Sequence, residues 1–365
     1  MPDPRFFNAI ACESEQRIGS FRPQNLANTA WAFATLGMPD PRFFEAIARE
    51  SEQRISTFKP QELANTAWAF ATLGMRAPRL FNAIAHESEH RIGSFEPQNL
   101  ANTAWAFATL GVRAPQLFEA IARESELRVS SLNPQELANT AWAFATLGTP
   151  APRLFDAIAS ESEQRIGSFK PQELANTAWV FAIAGTAHRG ALVTAVSARA
   201  AEMGLAAFSG DERRQLHQFF LGVELEACPP AELLAPIGLR DACRQAMAGE
   251  KPAYSSKLHE DVSSELTRMG IAHVNELCVA ARAREAVRAA TAEHTGIVIE
   301  VDGPSHYDDE RRLRPASGMI RRHLALAGWV VLGVPYWEWS ALRGQARKEY
   351  LAELLARAGL LEPAL

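Results

Sequence analysis

The chain has 365 residues, of which 47% are hydrophobic, and its formal net charge is −5 at pH 7. This length and apolar content are enough for two domains with their own cores. No apolar run is long enough to cross a bilayer, so we expect a soluble protein that does not contact membranes. The acidic balance excludes any argument from overall basicity to nucleic-acid binding, which would have to rest on local patches.

The four cysteines are far apart in the sequence and form no CxxC pair. This spacing indicates a reducing compartment and argues against a zinc site or a disulfide framework.

Five near-identical segments fill the first half of the chain, each ending in a glycine 37 residues after the last: Gly37, Gly74, Gly111, Gly148 and Gly185. A fixed period of this size is typical of repeat proteins. Each unit predicts two helices. In the first unit they cover about 4–18 and Pro23–Gly37, where a proline suits the first turn and a glycine the C-terminal cap. Stacked helix pairs bury faces that one pair cannot, so we predict an α-solenoid.

The second helix of each unit, "PQNLANTAWAFATLG" in the first, mixes apolar and polar faces. We expect Leu26, Phe33 and Trp31 to be buried between units. Positions 25, 28, 32 and 35 share one helical face and predict a polar stripe. Stacking would repeat this stripe about every 10 Å.

The stripe contains a row of asparagines: Asn28, Asn65, Asn102, Asn139 and Asn176. An amide donates and accepts hydrogen bonds, so it suits a peptide backbone or the edge of a base. The alternative is equally open: each asparagine bonds to the neighbouring repeat and fixes its position.

Two positions at the start of the second helix differ between the copies. One reads Asn25, Glu62, Asn99, Glu136 and Glu173, and the residue before the helix reads Arg22, Lys59, Glu96, Asn133 and Lys170. A modular reader keeps its scaffold and varies its contact residues, and we interpret the first position in this way because it lies on the predicted stripe.

A row of arginines on the first helices is a weaker candidate for RNA contact: Arg17, Arg54, Arg91, Arg128 and Arg165. Each follows a glutamate by four residues, which is the favourable order for a helical salt bridge. We therefore predict a structural role for this row.

The sequence predicts four segments: helix-pair repeats over 1–185, a degenerate capping repeat with a connector over 186–247, a linker over 248–257, and a second domain over 258–365. In the last segment, "GIVIEVDGPSHY" and "GWVVLGVPYWEW" each contain a β-branched strand, and helices are expected near 316–327 and 342–358. Strand, helix and strand in this order predict a small α/β domain with a parallel pair.

"IVIEVDGPSHY", "RRHLALAGWVVLGVPYWEW" and "EYLAELL" resemble the RAP domain, and the repeats resemble heptatricopeptide and octotricopeptide repeats. The resemblance implies an α-solenoid followed by a small restriction-endonuclease-like α/β domain. It also implies that the solenoid binds single-stranded RNA, one nucleotide per repeat, in the processing, stability or translation of mitochondrial or plastid transcripts. No targeting segment is visible, so we expect the protein to act where it is made, or its natural N-terminus to lie elsewhere.

The RAP domain is similar to the very-short-patch-repair type of endonuclease, in which carboxylates hold Mg²⁺ beside the scissile phosphate. Glu260 and Asp302 stand where two carboxylates would be, and His306 would move a proton. Arg288 stands where a third carboxylate is expected, which disfavours a metal site. We therefore expect no cofactor, with Mg²⁺ required only if the chain is a nuclease, and we interpret Asp302 as a turn carboxylate.

A cluster of five arginines follows the first predicted strand: Arg311, Arg312, Arg314, Arg321 and Arg322. Tyr307 and Trp337 are near it in the sequence. Guanidinium groups match phosphates and aromatic rings stack on unpaired bases, so we predict a second RNA-facing surface. The alternative is pairing with Asp308, Asp309 and Glu310, with the tryptophans in the core.

The sequence is compatible with three kinds of protein: an RNA-binding solenoid, an RNA endonuclease guided by the repeats, and a peptide-binding scaffold. Glu62, Glu136 and Glu173 favour a basic peptide over phosphates. The RAP resemblance favours RNA, and the missing carboxylate argues against catalysis. We predict a monomer that binds single-stranded RNA, together with other RNA-processing proteins.

Overall fold

The computed structural model describes residues 4–185, 190–226, 235–248, 257–273 and 296–359. The chain divides into two compact units, Met1–Val180 and Phe181–Leu365. Over the described ranges, no helix combines the length and the apolar character needed to cross a membrane.

The first unit is a stack of helix pairs, in which a short 3-10 turn such as Ile18–Ser20 follows each first helix. The helices are α1 (Pro4–Arg17), α2 (Pro23–Thr35), α3 (Pro41–Gln53), α4 (Pro60–Thr72), α5 (Pro78–Arg91), α6 (Pro97–Leu110), α7 (Pro115–Leu127), α8 (Pro134–Leu147), α9 (Pro152–Arg165) and α10 (Pro171–Ile183), whose last three residues belong to the second unit. First helices pack on first helices and second helices on second helices along the stack. The predicted α-solenoid is confirmed.

Prolines and glycines in the sequence explain where these helices begin and end. Each of these helices begins with a proline, at a position where a backbone N–H would have no acceptor within the helix. Gly111 and Gly148 follow α6 and α8 with φ of 70° and 62°, a left-handed conformation that strains residues with a Cβ. Leu26 and Phe33 are buried, as predicted. Phenylalanine rings of neighbouring repeats are in contact, with centroid distances such as 5.1 Å for Phe33–Phe43.

The arginine row joins each repeat to the preceding one. Arg91, Arg128 and Arg165 donate hydrogen bonds to backbone carbonyl oxygens of the preceding repeat, 33 positions earlier, at 2.7–2.8 Å. Each arginine also pairs with the glutamate four residues before it at 3.0–3.2 Å. Arg54 makes the same contacts, with Phe21 and Glu50. The predicted salt bridges are present, and the carbonyl contact gives the row a further role in stacking.

We expect Arg128→Gln to lower the free energy of unfolding by about 1–2 kcal/mol, because it removes a charge-assisted hydrogen bond to the Phe95 carbonyl. Arg17→Gln is the matched control, since Arg17 pairs with Glu13 and its side chain is 70% exposed. Urea unfolding followed by circular dichroism measures both. Equal stabilities of the two variants would contradict the stacking role.

The second unit contains further helices and the small sheet. Its elements after α10 are α11 (Gly190–Met203), α12 (Gly210–Glu226), α13 (Ile237–Ala248), α14 (Lys257–Arg268), β1 (Ile297–Asp302), α15 (Pro315–Leu326), β2 (Val330–Pro335), α16 (Tyr336–Ala341) and α17 (Gln345–Arg357). β1 and β2 are parallel, with Ile297 opposite Val330 and Asp302 opposite Pro335. The predicted α/β arrangement is confirmed.

The elements from α14 to α17 form a small α/β domain. Its core forms around Trp339, which is fully buried against Val334 and Leu351. Two helices, α14 and α17, contribute side chains to this core and contact each other, and α14 also contacts β1. Most of the predicted linker over 248–257 lies outside the described residues, and the segment boundaries stay predictions.

Candidate nucleic-acid interface

Each second helix presents a stripe with the order Gln, Asn, Trp, Thr. In α2 these are Gln24, Asn28, Trp31 and Thr35, and spacings of four, three and four residues place them on one helical face. We call the assembled stripes the quartet surface. It contains Gln24, Gln61, Gln98, Gln135 and Gln172, the five asparagines of the row, Trp31, Trp68, Trp105, Trp142 and Trp179, and Thr35, Thr72, Thr109 and Thr146.

Burial identifies this stripe as the exposed side of the helices. All five glutamines are exposed, Trp31 is 46% exposed, and the other asparagines and tryptophans of the surface are at least partly exposed. The prediction that Trp31 is buried between neighbouring repeats is therefore wrong. Phe33 supplies the bulk on the buried side, and Trp31 lies one helical turn after Asn28. Positions 28 and 35 of the predicted stripe are exposed in α2, and so is Asn25, but Asn99 at the same position in α6 is buried and Ala32 is only partly exposed. The stripe of exposed and partly exposed residues that recurs along the stack is 24, 28, 31 and 35.

The first four tryptophans form a continuous aromatic strip. Ring centroids are 6.5 Å apart for Trp31–Trp68, 6.3 Å for Trp68–Trp105 and 6.5 Å for Trp105–Trp142, with interplanar angles of 31–34°. Axes of packed helices are usually about 8–10 Å apart, and the centroid distances between the indole rings are shorter than this typical value.

The amides beside this strip have free hydrogen-bonding capacity. Within the described part of the chain, the side chains of Asn28, Asn65, Asn102 and Asn139 make no hydrogen bond to another residue, nor do the five glutamines. Asn176 does have an interaction partner. For the first four asparagines, the alternative of a bond that holds neighbouring repeats together is not supported.

The variable position at the helix start has a structural role. The Asn25 side chain accepts a hydrogen bond from the Arg22 backbone N–H at 3.0 Å, and Glu62, Glu136 and Glu173 accept the equivalent bond at 2.7–2.8 Å. Both residue types complete this helix cap, which accounts for their exchange. Asn99, which occupies this position in α6, is buried, with 7% of its surface exposed. The interpretation of this position as a base reader stays a prediction, in competition with capping.

Lys59 and its equivalents Arg22 and Lys170 are exposed at the N-terminal edge of the quartet surface. The quartet itself carries no charge. Positive side chains therefore flank the amides and the aromatic strip without interrupting them.

The arginine cluster of the small domain is mostly engaged inside the chain. Arg321 pairs with buried Asp302, and Arg322 donates to Glu226 at 2.7 Å and to the Ala182 carbonyl at 2.5 Å. Arg312 pairs with Asp308 at 2.9 Å and Glu310 at 2.5 Å. Arg314 donates to the Tyr307 carbonyl at 2.9 Å.

These contacts correct the prediction of one five-arginine RNA-facing surface. Asp302 and Glu226 are distant from the arginines in sequence, and folding brings them into contact. Arg311 is the cluster member most available to a ligand: it is exposed, with its guanidinium carbon 5.4 Å from the Trp337 ring centroid. Tyr307 packs edge-on against Trp337 at 4.4 Å, whereas Trp339 belongs to the core.

Asp302 lies at the end of β1 and is fully buried. Its Oδ2 accepts hydrogen bonds from the Tyr307 hydroxyl at 3.0 Å and from Arg321, and its Oδ1 is 3.5 Å from His306 Nδ1. The interpretation of Asp302 as a turn carboxylate is therefore corrected: its side chain joins β1 to α15. Gly333 leaves room for this contact, because a Cβ there would lie 2.6 Å from Arg321 Nη2.

Burial and the Asp302 charge affect the neighbouring titratable groups. Burial, followed by the Asp302 charge, raises the pKa of Glu300 above its ordinary value. The same two causes raise the pKa of Tyr307, so its hydroxyl stays protonated and continues to donate to Asp302.

The residues of this cluster do not fit Mg²⁺. Glu260 is exposed on α14, and no group of three or more His, Cys, Asp or Glu side chains in the described ranges is arranged to hold a metal ion. Asp302 and His306 are adjacent, but the Arg321 guanidinium already neutralises the carboxylate. The expected third carboxylate position, Arg288, lies outside the described residues.

Comparison with known proteins gives two family matches. Residues 2–220 match the model described as RNA-editing substrate-binding complex 6 protein, and residues 299–354 match the RAP domain. No curated protein matches the chain. The two matches support a general RNA-binding role in RNA processing, with RNA and RNA-processing proteins as partners. Since the first match covers more than half of the 365 residues, the chain belongs to the family of RNA-editing substrate-binding complex 6 proteins.

Proposed function

We propose that the chain binds single-stranded RNA along the quartet surface and acts in this way in RNA processing. The observation that carries the proposal is a set of four asparagines whose side chains have no protein partner, beside a continuous strip of tryptophans: Asn28, Asn65, Asn102 and Asn139. A free amide donates to and accepts from the edge of a base. Aromatic rings stack on unpaired bases, which a duplex does not offer.

The charges around the surface indicate that bases contribute more to binding than phosphates do. Arg22, Lys59 and Lys170 add positive charge at one edge, and three glutamates one turn further along add negative charge. These glutamates are Glu62, Glu136 and Glu173, and each accepts a backbone hydrogen bond. An RNA strand on the quartet surface would therefore find few free cations.

We expect a shallow dependence of RNA affinity on salt. Each phosphate neutralised on a single strand contributes about −0.7 to the slope of log K against log salt concentration, so three cations predict a slope of about −2. Fluorescence anisotropy with a labelled single-stranded oligomer measures this slope. A slope steeper than about −4 would assign binding to phosphates and contradict the proposed site.

The same assay tests the function. The full chain is expected to bind the single strand and to bind a duplex of the same sequence far more weakly. Absence of binding to the single strand at low salt, or equal binding to both forms, would overturn the proposal.

A basic peptide is the second candidate ligand, favoured by the glutamates at the edge of the quartet surface. Lys-rich and Arg-rich peptides in the same assay test this alternative. Binding of such a peptide in the absence of RNA binding would replace the RNA proposal. The nuclease alternative is not proposed, because Arg321 holds Asp302.

We further propose that the repeats are of the heptatricopeptide or octotricopeptide kind and that the protein acts in the mitochondrion. The family name refers to an RNA-editing complex, which favours this organelle over the plastid. A fluorescent fusion of the full protein tests this localisation, and a cytosolic signal would contradict it. Arg311 and Trp337 are the proposed RNA contact of the RAP domain.

A further inference from the structure

The quartet surface presents the same chemistry in each of the first four repeats. Glutamine, asparagine and tryptophan occupy their positions in all five units, and threonine occupies its position in the first four, with Ile183 in the fifth. The differences between units are found at other positions, among them the two at the helix start. Those two positions lie at or near the cap, where their side chains or backbone groups complete the helix.

The geometry of the surface is as regular as its composition. Successive tryptophan centroids are separated by 6.3–6.5 Å from Trp31 to Trp142, and the interplanar angles vary by only three degrees. Each second helix packs on the next in the same manner from α2 to α8. A ligand that moves along the stack by one repeat therefore meets the same groups in the same arrangement.

Identical sites have identical preferences, and the sum of their binding free energies does not depend on the order in which the bases occupy them. We infer that the quartet surface binds an unpaired run of one nucleotide and that, for a mixed strand, it senses base composition rather than base order. This inference rests on the proposed function and names the class of RNA that the surface takes. The variable cap position would give the opposite behaviour, because Asn25, Glu62, Asn99, Glu136 and Glu173 would read bases in a fixed order.

The test uses the full chain and competition anisotropy with two sets of RNA strands. The first set contains uniform runs of A, of C and of U. The second contains mixed strands that share one composition and differ only in base order. We expect the reordered strands to bind within about twofold of each other, and one uniform run to bind at least about tenfold more tightly than any mixed strand.

Either of two results overturns the inference: reordered strands that differ by about tenfold or more, or three uniform runs that bind alike. In both cases the RNA is bound and the proposed function stands. If no strand binds, the proposed function itself fails. The two failures are therefore distinguishable in one experiment.

A matched pair of variants separates the quartet from the cap. Glu136→Asn places at the cap the residue that α2 carries there, so the hydrogen bond to the helix start is retained. We expect this variant to keep the base preference of the wild type. Asn102→Ala and Asn139→Ala, by contrast, are expected to weaken binding of the preferred run by equal factors. A changed preference in Glu136→Asn would assign reading to the cap position and contradict the inference.

Discussion

Replacing Trp105 or Trp142 with leucine is expected to weaken single-stranded RNA binding by about fivefold to 150-fold for each residue, since stacking of a base on an aromatic ring contributes about 1–3 kcal/mol. Leucine keeps apolar bulk on the helix and removes the π face. The two indoles are 6.5 Å apart, so the double variant also loses a ring contact within the protein. Anisotropy with the preferred RNA measures the affinity.

Loss of stability has to be separated from loss of the binding surface in this experiment. Arg128→Gln is a suitable control, because it is expected to destabilise the stack while leaving the quartet surface intact. Below its unfolding temperature it should bind RNA as the wild type does. Wild-type affinity in Trp105→Leu and Trp142→Leu would show that the RNA does not stack on the strip.

Arg321→Met is expected to lower the free energy of unfolding of the second unit by about 3–5 kcal/mol, because it leaves the Asp302 carboxylate buried without its cation. Tyr307 would remain as its hydrogen-bond donor and His306 Nδ1 would remain 3.5 Å away, but neither group replaces the guanidinium that contacts the carboxylate. Hydrogen exchange resolved to β1, β2 and α15 measures the loss, which should be confined to these elements and their neighbours.

Arg312→Met is the control for this prediction. Arg312 pairs with Asp308 and Glu310 at the surface, where solvent screens ion pairs, so its exchange pattern should match the wild type. Asp302→Asn combined with Arg321→Met should recover part of the loss, since both charges are then absent. Similar exchange in Arg321→Met and Arg312→Met would contradict a structural role for the buried pair.

Much of the fold follows from local features of the sequence. The repeat period, a proline at each helix start and a glycine after each second helix give the solenoid, and β-branched runs give the two strands. Trp31 shows where a single sequence misleads: in near-identical copies, an exposed constant residue looks the same as a core residue. The two possible stripes share positions 28 and 35 and differ at the other two, each shifted by one residue, and assigning every large apolar residue to the core selects the wrong one.

The ion pairs of the RAP domain depend on tertiary structure. Arg321 and Asp302 are 19 residues apart, and Arg322 and Glu226 are 96 apart. Sequence spacing predicts pairing of arginines with nearby Asp308 and Glu310, which occurs for Arg312. It does not predict which carboxylates the parallel pairing of β1 with β2 brings to α15.

Ultraviolet cross-linking of the full chain to a single-stranded RNA, followed by mass spectrometry of the linked peptides, tests whether the RNA lies on the quartet surface. We expect cross-links in α2, α4, α6 and α8, at the tryptophans and asparagines of the quartet surface. Cross-links confined to the first helices of the repeats, or to residues 296–359, would place the RNA elsewhere and contradict the proposed binding site.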